Sequence, residues 1–203
     1  GLDDEEGEGT QNEPFIPEDL LEECQGAMRT FFMTGNRAEL NHFRRLFTAY
    51  PAIQDSLVIT VETLKRFLEQ GIGPKLLQEL LRRTKLLYVS PFQFCQLVLL
   101  ADRVLERPDL ASVIADNCRM TAGHLAECAV RLLKAPEEDE EDQVEFLLTL
   151  FKYGFNMDLK SLLAVYDWIL PHFPDPEAKS EFLGLVKCQY AWIGMADELR
   201  LEH

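Results

Sequence analysis

Catalytic signatures are what this sequence most plainly lacks. It has no G-x-S-x-G elbow, no phosphate-cradling glycine loop, no H-E-x-x-H pair and no paired-acid motif. Gly71-Ile72-Gly73-Pro74-Lys75 comes nearest to a P-loop but lacks its spacing, and reads as a turn between helices. His42 and His172 have no cysteine or serine partner nearby in sequence. The expectation is a protein that is not an enzyme and carries no cofactor.

Long apolar runs are also missing. Stretches such as Phe92 to Ala101 are too short to span a bilayer, and the N-terminus has neither the basic nor the apolar region of a signal peptide. No CxxC pair occurs among the five cysteines, Cys24, Cys95, Cys118, Cys128 and Cys188, which is unlike a disulfide framework. Together these features predict a soluble intracellular chain in the cytoplasm or nucleus, without membrane contact. Cys118, His124 and Cys128 raise zinc, because His124 and Cys128 lie four apart on one helix face, but a fourth ligand is missing. Buried structural cysteines are the commoner case, and no metal is expected.

The net charge of −15 is unevenly placed. Residues 1–24 hold ten acids and no base, and Glu137 to Asp142 are six acids in a row, so the remainder has a formal charge of +1. The reading is an acidic disordered tail at 1–16, a single helical domain at 17–200 and an acidic loop at 136–142. Gly1 reads as a protease-cleavage scar and 201–203 as a tag remnant, so the chain is expected to be a fragment of something longer.

No segment shows sustained strand alternation, and helix punctuation is frequent. Pro14 and Pro17 open a first helix, with Leu20, Leu21, Met28, Phe31 and Phe32 at helical spacing, that stops at Gly35. Asn36 is suited to cap a second helix, ended by Tyr50-Pro51. Further helices are expected over about 57–70, 74–88, 91–106, 109–117, 121–134, 143–153, 158–170 and from Asp175 onward, with Ser90-Pro91 and Asp175-Pro176 as start signals.

A repeat is the most informative feature. A shift of 119 residues places Thr30 on Thr149, Phe32 on Phe151, Gly35 on Gly154, Glu39 on Asp158 and Leu40 on Leu159, with Phe43, Leu46 and Phe47 falling on Leu162, Val165 and Tyr166. A weaker copy lies 36 residues after the first, where Leu68, Gly71 and Leu76 match Phe32, Gly35 and Leu40, and another centres on Asp109 and Leu110. A period in the mid-thirties belongs to stacked helical hairpins. The predicted fold is therefore all-α: a right-handed stack of antiparallel hairpins, an α-solenoid.

Through Phe32-x-x-Gly35-x-x-x-Glu39-Leu40-x-x-Phe43 and its counterpart from Phe151 to Leu162, about half the chain resembles the pentatricopeptide and tetratricopeptide superfamily. The Trp, Leu-Gly and Tyr of the tetratricopeptide consensus are absent. The resemblance implies either docking of protein segments or single-stranded RNA read at roughly one base per repeat.

Two surfaces stand out as partner candidates. Residues 36–90 hold nine bases against five acids, Arg44, Arg45, Arg82, Arg83 and Lys85 among them. They read either as a solvated helix face or as a contact for an acidic peptide or a nucleic-acid backbone. Large aromatics gather later, at Tyr153, Phe155, Trp168, Phe173, Tyr190 and Trp192. Aromatics at helical spacing are more often core, but Phe155 matches Asn36 at a hairpin turn, which predicts exposure and makes it the leading contact candidate. The favoured function is an adaptor that binds another protein. The alternatives are single-stranded RNA binding, with the basic residues on one face, and self-association into a homodimer through the aromatic C-terminal helix.

Overall fold

The computed structural model describes residues 18–87, 90–134, 140–173 and 175–191, without the side chains of 85–87, 140–142, 159 and 187–191. The predicted acidic tail lies outside these residues. The chain is predominantly helical, and its contacts gather into two compact units, Gly1–Val89 and Ser90–His203.

The first unit contains α1 (Glu18–Thr34), α2 (Arg37–Ala49), α3 (Pro51–Ser56), β1 (Val58–Thr60), α4 (Val61–Glu69), α5 (Pro74–Arg83) and β2 (Lys85–Leu87). Gly35, at φ +68, ends α1 in the left-handed region that a side chain disfavours, and its N–H donates to the Phe31 carbonyl. Asn36 then caps α2 by accepting from the Ala38 N–H at 2.9 Å, and α1 and α2 pack along each other as a hairpin. At Gly71, φ +79, the same device closes α4: Gly71 N–H donates to the Leu68 carbonyl and Ile72 N–H to that of Phe67. Phe31 and Phe67, equivalent under the 36-residue shift, stack with ring centroids 5.3 Å apart, and Phe43 lies 5.3 Å from Phe67 on its other side. These rings and Phe47 are fully buried, and each contributes about 1.5–3 kcal/mol relative to exposure.

One expectation for this unit needs correction. Tyr50 is extended before Pro51 as expected, and Pro51 opens the short helix α3 in a stretch to which the sequence assigned no element, with Gln54 Nε2 donating 2.8 Å to the Phe47 carbonyl. The predicted helices 57–70 and 74–88 are shorter than expected, because 58–60 and 85–87 form a two-stranded parallel pairing, Val58 opposite Lys85 and Thr60 opposite Leu87. The consecutive β-branched Val58, Ile59, Thr60 and Val61 favour a strand. Three residues are too few to display a period of two.

The second unit contains α6 (Pro91–Leu99), which continues as a π-turn (Leu100–Val104), then α7 (Pro108–Asp116), α8 (Ala122–Leu133), α9 (Glu140–Tyr153), α10 (Leu159–Ile169) and α11 (Pro176–Ala191). Its starts are those the sequence announces. Ser90 and Gln93 form a capping box, Thr121 accepts from His124 N–H, Asp158 from Ser161 N–H and Asp175 from Ala178 N–H. Because α9 begins at Glu140, part of the run read as an acidic loop is helical, and 135–139 lie outside the described residues. Phe151 of α9, Tyr166 of α10 and Phe182 of α11 form a second aromatic cluster with centroids 5.4–6.2 Å apart.

The second copy of the repeat keeps its turn but not its hairpin. Gly154 has φ +68, like Gly35, but Phe155 and Asn156 follow it into the left-handed region at φ 47 and 62. The extra turn moves the cap to Asp158, and α10 packs chiefly on α8 instead of returning along α9. Asn156 Nδ2 fastens the turn by donating to the carbonyls of Asp116, 2.8 Å, and Cys118, 3.4 Å.

Candidate functional site

Among the described residues, each unit carries surface depressions with the makings of a binding site. In the first, a cleft of about 360 Å³ runs between α2 and the start of α5. Leu40, Ile72 and Leu76 make its apolar wall, while Arg37, Arg44 and Lys75 bring positive charge against the single acid Glu79. No side chain caps α5, whose N-cap is Gly73, so the cleft reaches an open helix start with its partial positive charge. Arg37 is already engaged, since Nη1 donates to the Gln70 carbonyl, whereas Arg44 has no carboxylate partner among the described residues.

The predicted basic residues do not converge as a set. Arg44 lines the cleft, and Arg45 is exposed outside it. Arg82 donates to both Glu79 oxygens at 3.0 and 3.3 Å, and Arg83 lies 3.8 Å from Asp55 and from Glu79. These are exposed pairs worth at most about 1 kcal/mol each, but they cancel charge where a phosphate backbone needs it. The side chain of Lys85 lies outside the described residues.

The aromatic candidates separate by burial. Phe155 is the clear correction: it is 1% exposed and packs as a core residue of the turn, so it presents no contact surface. Three successive left-handed residues fold its side chain inward, which sequence matching to Asn36 does not reveal. Tyr153 is half-buried and its hydroxyl bonds to Asp102 of the π-turn; burial, then the Asp102 carboxylate, raise its pKa. Phe173 packs at 5.1 Å against Phe182. Trp192 and the side chain of Tyr190 lie outside the described residues.

Trp168 is different. On α10, it remains 61% exposed and borders a depression of about 420 Å³ formed with Glu127, Val130 and Arg131 of α8, Lys134 at its C-cap, and His172. Spacings of three and four residues place Glu127, Arg131 and Lys134 on one face of α8. The α8 contribution is missed by a search for aromatics, although the alternation of buried and exposed positions along α8 makes it legible. A second depression, about 350 Å³, shares Glu127 and Arg131 and adds Phe92, His124 and Cys128, with the Arg131 guanidinium 3.9 Å over the Phe92 ring. His124 and Cys128 thus share a surface, as their spacing requires, but among the described residues no group of three or more His, Cys, Asp and Glu is arranged to hold a metal.

No helix among the described residues is long and apolar enough to cross a membrane. No protein family, curated protein or solved structure matches this chain.

Proposed function

We propose that this chain is a non-catalytic helical-repeat adaptor that binds a segment of another protein, with the Trp168 face as its contact surface. The observation that carries the reading is the exposure of Trp168 beside a depression walled by Val130 and rimmed by Arg131, Lys134 and His172. Tryptophan is among the residues most enriched at the energetic centres of interfaces, and its burial by a partner recovers apolar area left in water here. The matching occupant has an apolar anchor for the indole and flanking acids for Arg131 and Lys134. Left-handed residues at Gly35, Gly71, Glu106 and Gly154 support a solenoid-like ancestry, as does the period between the first two.

RNA binding is the weaker reading. It needs an unpaired cationic track, whereas Arg82 and Arg83 are turned to Glu79 and Asp55. The test is a crosslinking pull-down from nuclease-treated and untreated lysate, with the native chain and with Trp168→Ala. A stoichiometric protein that survives nuclease and is lost with Trp168→Ala supports the adaptor. Crosslinks to RNA alone, or capture indifferent to Trp168, overturn it.

A further inference from the structure

The cleft between α2 and the start of α5 carries net charge of one sign. Arg37, Arg44 and Lys75 line it and are exposed. Its single acid, Glu79, is already balanced, accepting from Arg82 at 3.0 and 3.3 Å and lying 3.8 Å from Arg83. Arg44 and Lys75 meet no carboxylate among the described residues. Buried Leu40 and Ile72 and half-buried Leu76 form the walls. Cations set in a concavity with apolar walls focus their field on its opening, so the cleft draws anions more strongly than the same charges on a convex surface. The uncapped start of α5 at Gly73 adds to that field without carrying it.

The chain itself holds a segment of the matching charge. Residues 1–17, outside the described residues, contain six acids and no base, and five of those acids fall within 3–8. The segment joins the fold at Glu18, where α1 begins. Glu23 of α1 meets His42 of α2 at 2.9 Å, so in the antiparallel hairpin Glu18, five residues back, is level with Phe47, next to Thr48 at one end of the cleft. From Thr48 to Arg37 is about 17 Å along α2. The stretch from Glu8 to Glu18 reaches up to about 30 Å when extended, so the acids can be delivered along the whole cleft. A tether this short holds the acids at an effective concentration in the millimolar range, which populates even a weak contact.

We propose that the acidic run 3–8 docks in the α2–α5 cleft of its own chain, its carboxylates against Arg37, Arg44 and Lys75. The chain then occupies its own anion-binding surface, and an acidic segment from outside has to compete for it. The contact is electrostatic and salt-sensitive, because the run offers no apolar side chain to the walls. It stands apart from the adaptor reading, which uses Trp168 in the other unit.

The test uses the whole chain, dilute, treated with a water-soluble carbodiimide that joins a carboxylate to a lysine amine at ion-pair distance with loss of one water. The monomer band is digested with trypsin and mapped. A joined Lys75 is not cleaved, so the expected product is peptide 67–82 linked to 1–29, with fragment ions placing the new amide within 3–8. This link is expected severalfold above the equivalent one through Lys65, which is exposed but does not line the cleft, and is expected to vanish at about 0.5 M salt. Arg44→Glu should lower it severalfold while Arg45→Glu, the same change of charge one residue outside the cleft, leaves it in place. Both positions are exposed, and helicity checks each variant. Equal links to Lys65 and Lys75, equal responses to the two reversals, a link confined to the dimer band, or no link from 1–29 at all overturns the proposal. The ratio of Lys75 to Lys65 links in the native chain decides the matter even if a variant fails to fold.

Discussion

The turns at Gly35 and Gly154 begin alike and end differently. Both place a glycine at φ +68 after an aromatic-rich helix and both lead into a side-chain-capped helix, yet only the first returns the chain along the helix it has left. One left-handed residue followed by an extended cap reverses the chain at Gly35. At Gly154, two more left-handed residues insert a further turn, Phe155 enters the core, Asn156 anchors to the end of α7, and α10 is delivered to α8. That delivery matters for function, because it sets Trp168 beside Val130 and Lys134. The same glycine stop therefore serves two different packings.

The comparison can be broken most severely at the position where the copies disagree. Phe155→Ala is expected to destabilise the second unit by about 3–5 kcal/mol through lost burial and a cavity, read by denaturant unfolding. The equivalent Asn36→Ala removes only a helix cap and is expected to cost about 1 kcal/mol. A small Phe155 effect would mean that the turn is held by its hydrogen bonds and not by the ring.

Replacing the shared glycines asks whether the turns are alike at all. Gly35→Ala and Gly154→Ala each force an L side chain into the left-handed region, at about 1–2 kcal/mol. A Cβ would meet nothing closer than 3.5 Å at Gly35 or 3.9 Å at Gly154, so backbone conformation and not collision sets the cost. Thermal melts showing unequal losses would separate the two turns in chemistry as well as in packing.

Acid separates the caps. The Ser161 N–H, bonded to the Asp158 carboxylate, holds that group below the ordinary aspartate range. The contribution of a depressed carboxylate is complete above the unfolded value of about 3.9 and disappears as pH falls through the folded value. Asn36 does not titrate. Below about pH 4, hydrogen exchange corrected for intrinsic rates should lose protection at Ser161 while Ala38 keeps its own. Parallel loss at both amides would show global acid unfolding instead. The smallest stability effect is expected for Trp168→Ala, within about 0.5 kcal/mol by thermal melt, because most of that side chain is already in water.

Legibility followed the range of the interaction. Asn36, Ser90, Thr121, Asp158 and Asp175 were readable as helix starts because each bonds an amide two or three residues on. Gly35 and Gly71 were readable as stops, since only local sterics decide which residue tolerates positive φ. The β1–β2 pairing was not, because its partners lie 27 residues apart and each strand is three residues long. Phe155 was misread because a turn position predicts exposure only when the turn points outward.

Of the candidate contacts, the sequence offered Trp168 and Arg44 but placed Phe155 ahead of them. Ranking depended on the neighbours supplied by other elements, which bury Phe155, bond Tyr153 to Asp102 and pair Arg82 with Glu79. By itself, then, the sequence determined a predominantly helical chain, most of its caps and its glycine stops, all governed by backbone sterics and hydrogen bonds spanning a few residues. Tertiary structure alone decided where α10 lies and which aromatic stays in water, because those outcomes depend on packing between segments distant along the chain.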